Sequence, residues 1–167
     1  SDFSNHTINY GVALAKEFEA KLFVSHVIDL SSVAIYGEFQ LDPVGQQNRI
    51  MEDADAQLKK LAGGQAISWE PLITVGKPAD EISRAVEEKD IDLVITATRG
   101  RSGLKRIILG SVTERLMRTL SCPLLVVNSP EHKFISVAAQ AVKIEKILVG
   151  CDFSPDSGQA FNHALSL

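Results

Sequence analysis

The chain has 167 residues, 45% of them hydrophobic, with 17 Lys and Arg against 21 Asp and Glu for a formal net charge of −4 at pH 7. That is enough chain and enough apolar side chain for one domain with a sizeable core, and the acidic balance argues against a dedicated binder of nucleic acid or of anionic membrane, which needs a basic face. No apolar run approaches the roughly 18 residues of a membrane span, Ser1 to His6 lacks the basic and apolar regions of a signal peptide, and Cys122 and Cys151 make neither a disulfide framework nor a CxxC metal spacing, so a cytoplasmic protein with buried free thiols is expected.

Residues 5–18 show helical apolar spacing through Ile8, Val12, Ala15 and Phe18, with Ser4 as N-cap. Residues 21–28 read as a strand, 29–43 as a mixed loop, and 44–61 as a long amphipathic helix ended by Gly63 and Gly64. Residues 67–75 read as a strand whose Pro71 demands an edge position, because proline has no N–H to give a second neighbour. A helix over 78–89 has proline in its first turn, a buried strand covers 91–97, a helix covers 111–120, and a last strand covers 124–127. Strands and helices alternating at these lengths imply a parallel sheet with helices on both faces.

Between the last two strands lies the most informative stretch. Leu93-Val94-Ile95-Thr96-Ala97 runs into Thr98-Arg99-Gly100-Arg101-Ser102-Gly103, and after an apolar-basic run Leu109-Gly110-Ser111-Val112-Thr113-Glu114 opens a helix. Glycines let backbone approach a ligand, and the free N–H groups of a helix start favour an anion. With nine residues between Gly100 and Gly110, this stretch resembles the G-x2-G-x9-G-[ST] motif of the universal stress proteins, with one departure: Ala97 stands at the first glycine. The resemblance implies a three-layer α/β sandwich, adenine-nucleotide alpha-hydrolase-like, with a five-stranded parallel sheet in the order 3-2-1-4-5. It also implies ATP, with or without Mg, at the carboxyl ends of the strands. On that pattern the backbone of Gly100, Arg101, Gly110, Ser111 and Val112 meets the phosphates, and the Ser111 and Thr113 hydroxyls add hydrogen bonds. Arg99 and Arg101 offer charge, Gly103 belongs to the same loop, and Val27 lines the adenine.

The ends of the chain repeat each other. Asp2-Phe3-Ser4 opens the first helix, and Asp152-Phe153-Ser154 follows Lys146-Ile147-Leu148-Val149-Gly150-Cys151, at a period of 150 residues. In the resembled family a strand of this Ile-Leu-Val type sits inside the sheet, and the aspartate after it contacts the adenosine end of the nucleotide. The expected organisation is therefore a stress-protein domain over 1–128 lacking its first strand, a linker over 129–143, and over 144–167 the strand and helix start of a second repeat, as in a tandem-domain member. Residues 146–151 are expected to complete the first sheet, from the same chain or from a partner, between the strands 21–28 and 91–97. Asp152 or Asp2 then supplies the aspartate, depending on which segment holds the slot.

The remaining residues carry bland readings. His26 is a core or rim histidine, and His6, His132 and His163 have no metal-ligand spacing. Asp53, Asp55, Glu52, Glu81, Glu87 and Glu88 lie on polar helix faces, Trp69 packs, and the basic run Lys105, Arg106, Arg115 and Arg118 divides between the loop and a solvated face. No nucleophile–base pair is visible, so at most slow ATP hydrolysis is expected, not an enzyme. Two functions stay open: an ATP-binding stress-response module acting through nucleotide-dependent conformation or partner binding, and a structural or partner-binding module of the same fold that takes no nucleotide. A homodimer or intramolecular pair through the last, apolar edge strand is expected, as are no nucleic-acid and no membrane partners.

Overall fold

A computed structural model describes residues 2–29, 43–65, 67–97, 110–127, 135–136 and 141–166. Helix α1 (Asp2–Glu17) is followed by strand β1 (Leu22–Ile28), helix α2 (Pro43–Ala62), strand β2 (Trp69–Val75), helix α3 (Pro78–Lys89), strand β3 (Val94–Ala97), helix α4 (Ser111–Thr119) and strand β4 (Leu124–Val127). Two-residue strands β5 (Ile135–Ser136) and β6 (Ala141–Val142) and helix α5 (Pro155–Ser166) complete the order.

β1 and β2 pair in parallel from Leu22 opposite Trp69 to Ile28 opposite Val75. β2 has no second neighbour among the described strands, which is the edge position that Pro71 requires. β3 and β4 form a second parallel pair, Val94 opposite Leu124 to Ala97 opposite Val127. The turn from β2 into α3 passes through Gly76 at φ +152°, where an added Cβ would lie 2.7 Å from Glu81 Oε1. Pro78 then sits in the first turn of α3, where its missing N–H costs nothing. Asp90 closes that helix in the left-handed conformation, with its N–H bonded to the Val86 carbonyl.

The core forms on the two sides of α1. Ile8 and Val12 pack against Ala62 of α2, with Leu22, Val24 and Trp69 around them. Tyr10 and Ala13 pack against Val127 and Ile135, with Ile95, Leu125 and Val142 around those. α2 contributes Ala54, Leu58 and Ala62, one position per turn, as an amphipathic helix must. α4 contributes Leu116, which is 0% exposed, and Thr113 one turn before it.

Among the described residues the strands do not join into the five-stranded sheet expected from the sequence. The described strands make two parallel pairs and a short antiparallel hairpin, β5 with β6. Residues 143–152 form no strand, and Leu148 is 97% exposed, so the expected pairing of 146–151 within the chain is not made. The reason lies in the expected linker. Ile135 and Val142 of the hairpin pack against Tyr10 and Ala13, so the chain is pinned on one flank of α1 and only residues 143–145 remain free before Lys146. α1 begins at Asp2, two residues before the expected Ser4 cap, and Cys151 is exposed where a buried thiol was expected.

Candidate functional site

A hollow lies between β1 and β3. Its volume is about 450 Å³, and its side walls are Leu22 to His26 of β1 and, opposite, Leu93 with Val94 to Ala97 of β3. Ile8 and Gly11 of α1 lie against it from one helix layer, and Ala85 and Val86 of α3 from the other. All four residues of β3 are only half-buried for this reason, although the sequence reads as a strand buried on both faces.

Chain direction places the start of α4 at the carboxyl end of this frame. Val94 N–H donates to the Pro123 carbonyl at 3.0 Å, which levels the amino ends of β3 and β4. α4 ends four residues before β4 starts. Nine helical residues span about 13.5 Å and a four-residue strand about 13 Å. The chain must therefore climb to the carboxyl ends of the strands before α4 brings it back.

Gly110 is the N-cap of α4, at φ −64° and ψ 149°, with no side-chain cap. The first intrahelical bond runs from Glu114 N–H to the Gly110 carbonyl at 2.9 Å. The N–H groups of Ser111, Val112 and Thr113 thus have no partner inside the helix and carry the positive end of its dipole. A Cβ placed on Gly110 meets nothing within 4 Å. Neither the backbone conformation nor packing among the described residues requires glycine here. Three backbone donors at a helix start are the arrangement that takes an anionic group close to the main chain.

Ser111 is exposed, Val112 half-buried, and Thr113 only 3% exposed. Ala97 ends β3, half-buried at the rim of the hollow, and Val27 lies one residue before the end of β1 in register with Thr74. Asp2 is the first residue of α1. Arg99, Gly100, Arg101 and Gly103 lie outside the described residues, as do Lys105 and Arg106.

Asp152 is exposed, and its carboxylate accepts the Ser154 N–H at 3.0 Å. Bonds from the Ser154 hydroxyl and N–H, with a smaller part from Ser157, hold its pKa down at about 2. Ser154 in turn caps α5, its hydroxyl accepting the Ser157 N–H at 3.2 Å. Phe153 between them is left-handed at φ 64°. The Cys151 thiol is shifted down, first by the Phe153 N–H and then by Ser157, whereas burial pushes the Cys122 thiol up.

The polar helix faces behave as solvated surfaces. Arg115 pairs with Asp80 at 2.6 Å, tying α4 to α3, Arg118 with Glu114 at 2.8 Å, and Lys59 with Asp55 at 2.5 Å; Glu81 pairs with Arg84. Trp69 packs against the Ile8 and Val12 cluster, as expected. His26 is exposed on β1 and borders the hollow together with Ser25 and Thr96. The spacing of β1 from β3 brings these three together. No helix among the described residues is long and apolar enough to cross a membrane, and no group of three or more His, Cys, Asp or Glu among them could hold a metal ion.

Three comparisons bear on this arrangement. A family model described as "Universal stress protein family" matches residues 1–128. Universal stress protein MJ0531 of Methanocaldococcus jannaschii is 33% identical over 135 residues, covering 80% of this chain and 79% of that protein. The solved structure of universal stress protein UspA from Lactobacillus plantarum superposes with a TM-score of 0.58 at 25% identity, over 76% of this chain and 90% of its own. A universal stress protein solved in complex with cAMP shares the fold, with a TM-score of 0.50 at 23% identity, over 77% of this chain and 89% of its own.

Proposed function

This chain belongs to the universal stress protein family, and on that premise we propose that it binds an adenine nucleotide, ATP with or without Mg, and serves as a stress-response module whose conformation or partner choice follows the bound nucleotide. The observation that carries this reading is Gly110. It is a glycine that neither its φ of −64° nor its packing among the described residues demands, set before three N–H groups that have no partner inside α4. A phosphate is the anion that such a site takes most readily.

The backbone of Gly110, Ser111 and Val112 meets the phosphates, joined by that of Gly100 and Arg101. The Ser111 hydroxyl lies exposed beside them, and Thr113 contributes from the same turn. Arg99 and Arg101 add charge, and Gly103 belongs to the same motif. Ala97 borders the phosphate loop, Val27 lines the base, and Asp152 or Asp2 faces the adenosine end. The family relative solved with cAMP supports an adenine nucleotide as the ligand class. The module works by binding, not by turnover, in the cytoplasm, as a homodimer or an intramolecular pair through β4.

A second reading, a partner-binding module that takes no nucleotide, draws on Ala97, whose methyl group stands where the motif has glycine. Isothermal titration of the full chain with ATP separates the two, together with native mass spectrometry of the freshly purified protein for retained nucleotide. Saturable binding of ATP supports the first reading. Absence of binding to ATP, ADP, AMP and cAMP, with no retained nucleotide, establishes the second.

A further inference from the structure

The pair of β3 and β4 turns one face toward α1. Ile95 and Leu125 stand opposite each other in register, and Val127 follows two residues on, so all three point to the same side. On that side they pack with Tyr10 and Ala13 of α1. α4, which connects the two strands, is tied instead to α3, by Arg115 with Asp80 at 2.6 Å and by the Ser83 and Thr119 hydroxyls at 3.0 Å. α2 packs against β1 and β2. The rest of the cover over Ile95, Leu125 and Val127 comes from the β5–β6 hairpin, which lies beyond the residues 1–128 that match the family model.

Two side chains seat this hairpin. Ile135 is 6% exposed within the Tyr10, Ala13 and Val127 cluster, and Val142, its partner across the hairpin, packs against the same cluster. Ser136 is exposed and Ala141 half-buried. Two facing pairs of residues do not hold a hairpin together alone, since even a longer two-stranded hairpin is marginal in water. The seat on α1 therefore holds it. In return it buries what it sits on: Tyr10 is 3% exposed, Ala13 0% and Val127 7%. The exchange is unequal in strength. α1 and β4 are built into the domain by a whole helix and a parallel ladder, whereas the hairpin rests on two aliphatic side chains. A unit held by so few apolar contacts opens locally, at a lower free energy than the body it covers.

We propose that the β5–β6 hairpin is a releasable strap. Closed, it covers the apolar patch of Tyr10, Ala13 and Val127. Open, it bares that patch together with Ile95 and Leu125, while the helices and the two parallel strand pairs stay folded. The occupant of this face is the chain's own hairpin, and by occupying it the strap withholds an apolar patch beside β4 from other apolar surfaces. The inference stands without the nucleotide reading, since no ligand takes part.

The test uses the full chain and two measurements. The first is thiol labelling of Ile135→Cys, with Cys122 and Cys151 replaced by alanine, beside Val12→Cys in the same background; Val12 is 1% exposed and lies in the other half of the core. Labelling at 135 is expected to run at least about tenfold slower than in the denatured chain and to stay constant through low denaturant, whereas labelling at 12 rises with denaturant. The second is binding of an apolar fluorescent dye to Ile135→Asp, which is expected to rise several-fold with circular dichroism unchanged, while Ser136→Asp, at the exposed neighbour, leaves dye binding as it was. Labelling at 135 that follows denaturant in step with position 12 would make the hairpin a fixed part of the core and would overturn the proposal. So would labelling at the rate of the denatured chain, dye binding that Ile135→Asp leaves unchanged, or loss of the helical signal in that variant.

Discussion

Replacing Gly110 by valine separates binding from folding, because the structure shows what the glycine is not needed for. At φ −64° and ψ 149° the backbone lies in a region that valine favours. The new side chain enters open space, as no atom lies within 4 Å of the Cβ position. Against folding stands the loss of a tolerable N-cap residue for a poor one, about 1 kcal/mol; for it stands the lower freedom of valine in the unfolded chain, about 0.4–1 kcal/mol. The two nearly cancel, and the melting temperature is expected to move by no more than about 4 °C. Binding fares differently. On the proposed reading the β-branched side chain hinders the approach of the phosphates to the Ser111 and Val112 N–H groups. Each hydrogen bond from a backbone donor to a charged phosphate is worth about 1.5–3 kcal/mol, so losing one lowers ATP affinity roughly 10- to 100-fold and losing two abolishes measurable binding. Gly110→Ala, with one methyl group, should fall between. Calorimetric titration with ATP and thermal unfolding on the same samples decide the matter. Equal ATP affinity in the parent and the valine variant would refute the assignment of the phosphates to this helix start.

Leu116→Ala removes a side chain that is 0% exposed and borders the hollow, and should cost about 2–5 kcal/mol in denaturant unfolding; a loss below about 1 kcal/mol would show that the surrounding helices collapse onto the gap. Gly76→Ala should destabilise by more than about 1 kcal/mol, because φ is +152° and the Cβ meets Glu81 Oε1 at 2.7 Å, and the double variant with Glu81→Ala should recover the clash but not the backbone strain. The Asp152 carboxyl should titrate near pH 2 by carbon NMR, and Ser154→Ala should return it toward its ordinary 3.8. Because the folded value is depressed, the turn that caps α5 is fully favoured above about pH 4 and is lost as the pH falls toward 2. An ordinary titration in the unmodified protein would mean that the turn is not populated.

Much of the frame could be read from the residues. The bounds of α3 and β4 match the expected 78–89 and 124–127, and β1, β2 and α4 match within two residues, because proline, glycine and the switch from two-residue to 3.6-residue periodicity are local signals. The pairing of β2 with β1 alone among the described strands agrees with the edge position that Pro71 suggests, since a missing N–H limits a strand wherever it sits. Gly110-Ser111 was legible as a helix start that could hold an anion, because spacing and residue type suffice for that. The hairpin of Ile135–Ser136 with Ala141–Val142 was not legible, since two-residue strands have no period and exist only because α1 offers Tyr10 and Ala13 to pack on. The apolar run at 147–149 was legible as a strand by composition, but composition states only what a segment can do. Whether it pairs depends on where Val142 anchors it and on which edges stand open, and those are set by contacts between residues more than a hundred positions apart in the chain. The sequence by itself determined the elements and the family motif; the tertiary structure decided which strands pair, β1 with β2 and β3 with β4, because pairing in a sheet is set by long-range contacts and not by local preference.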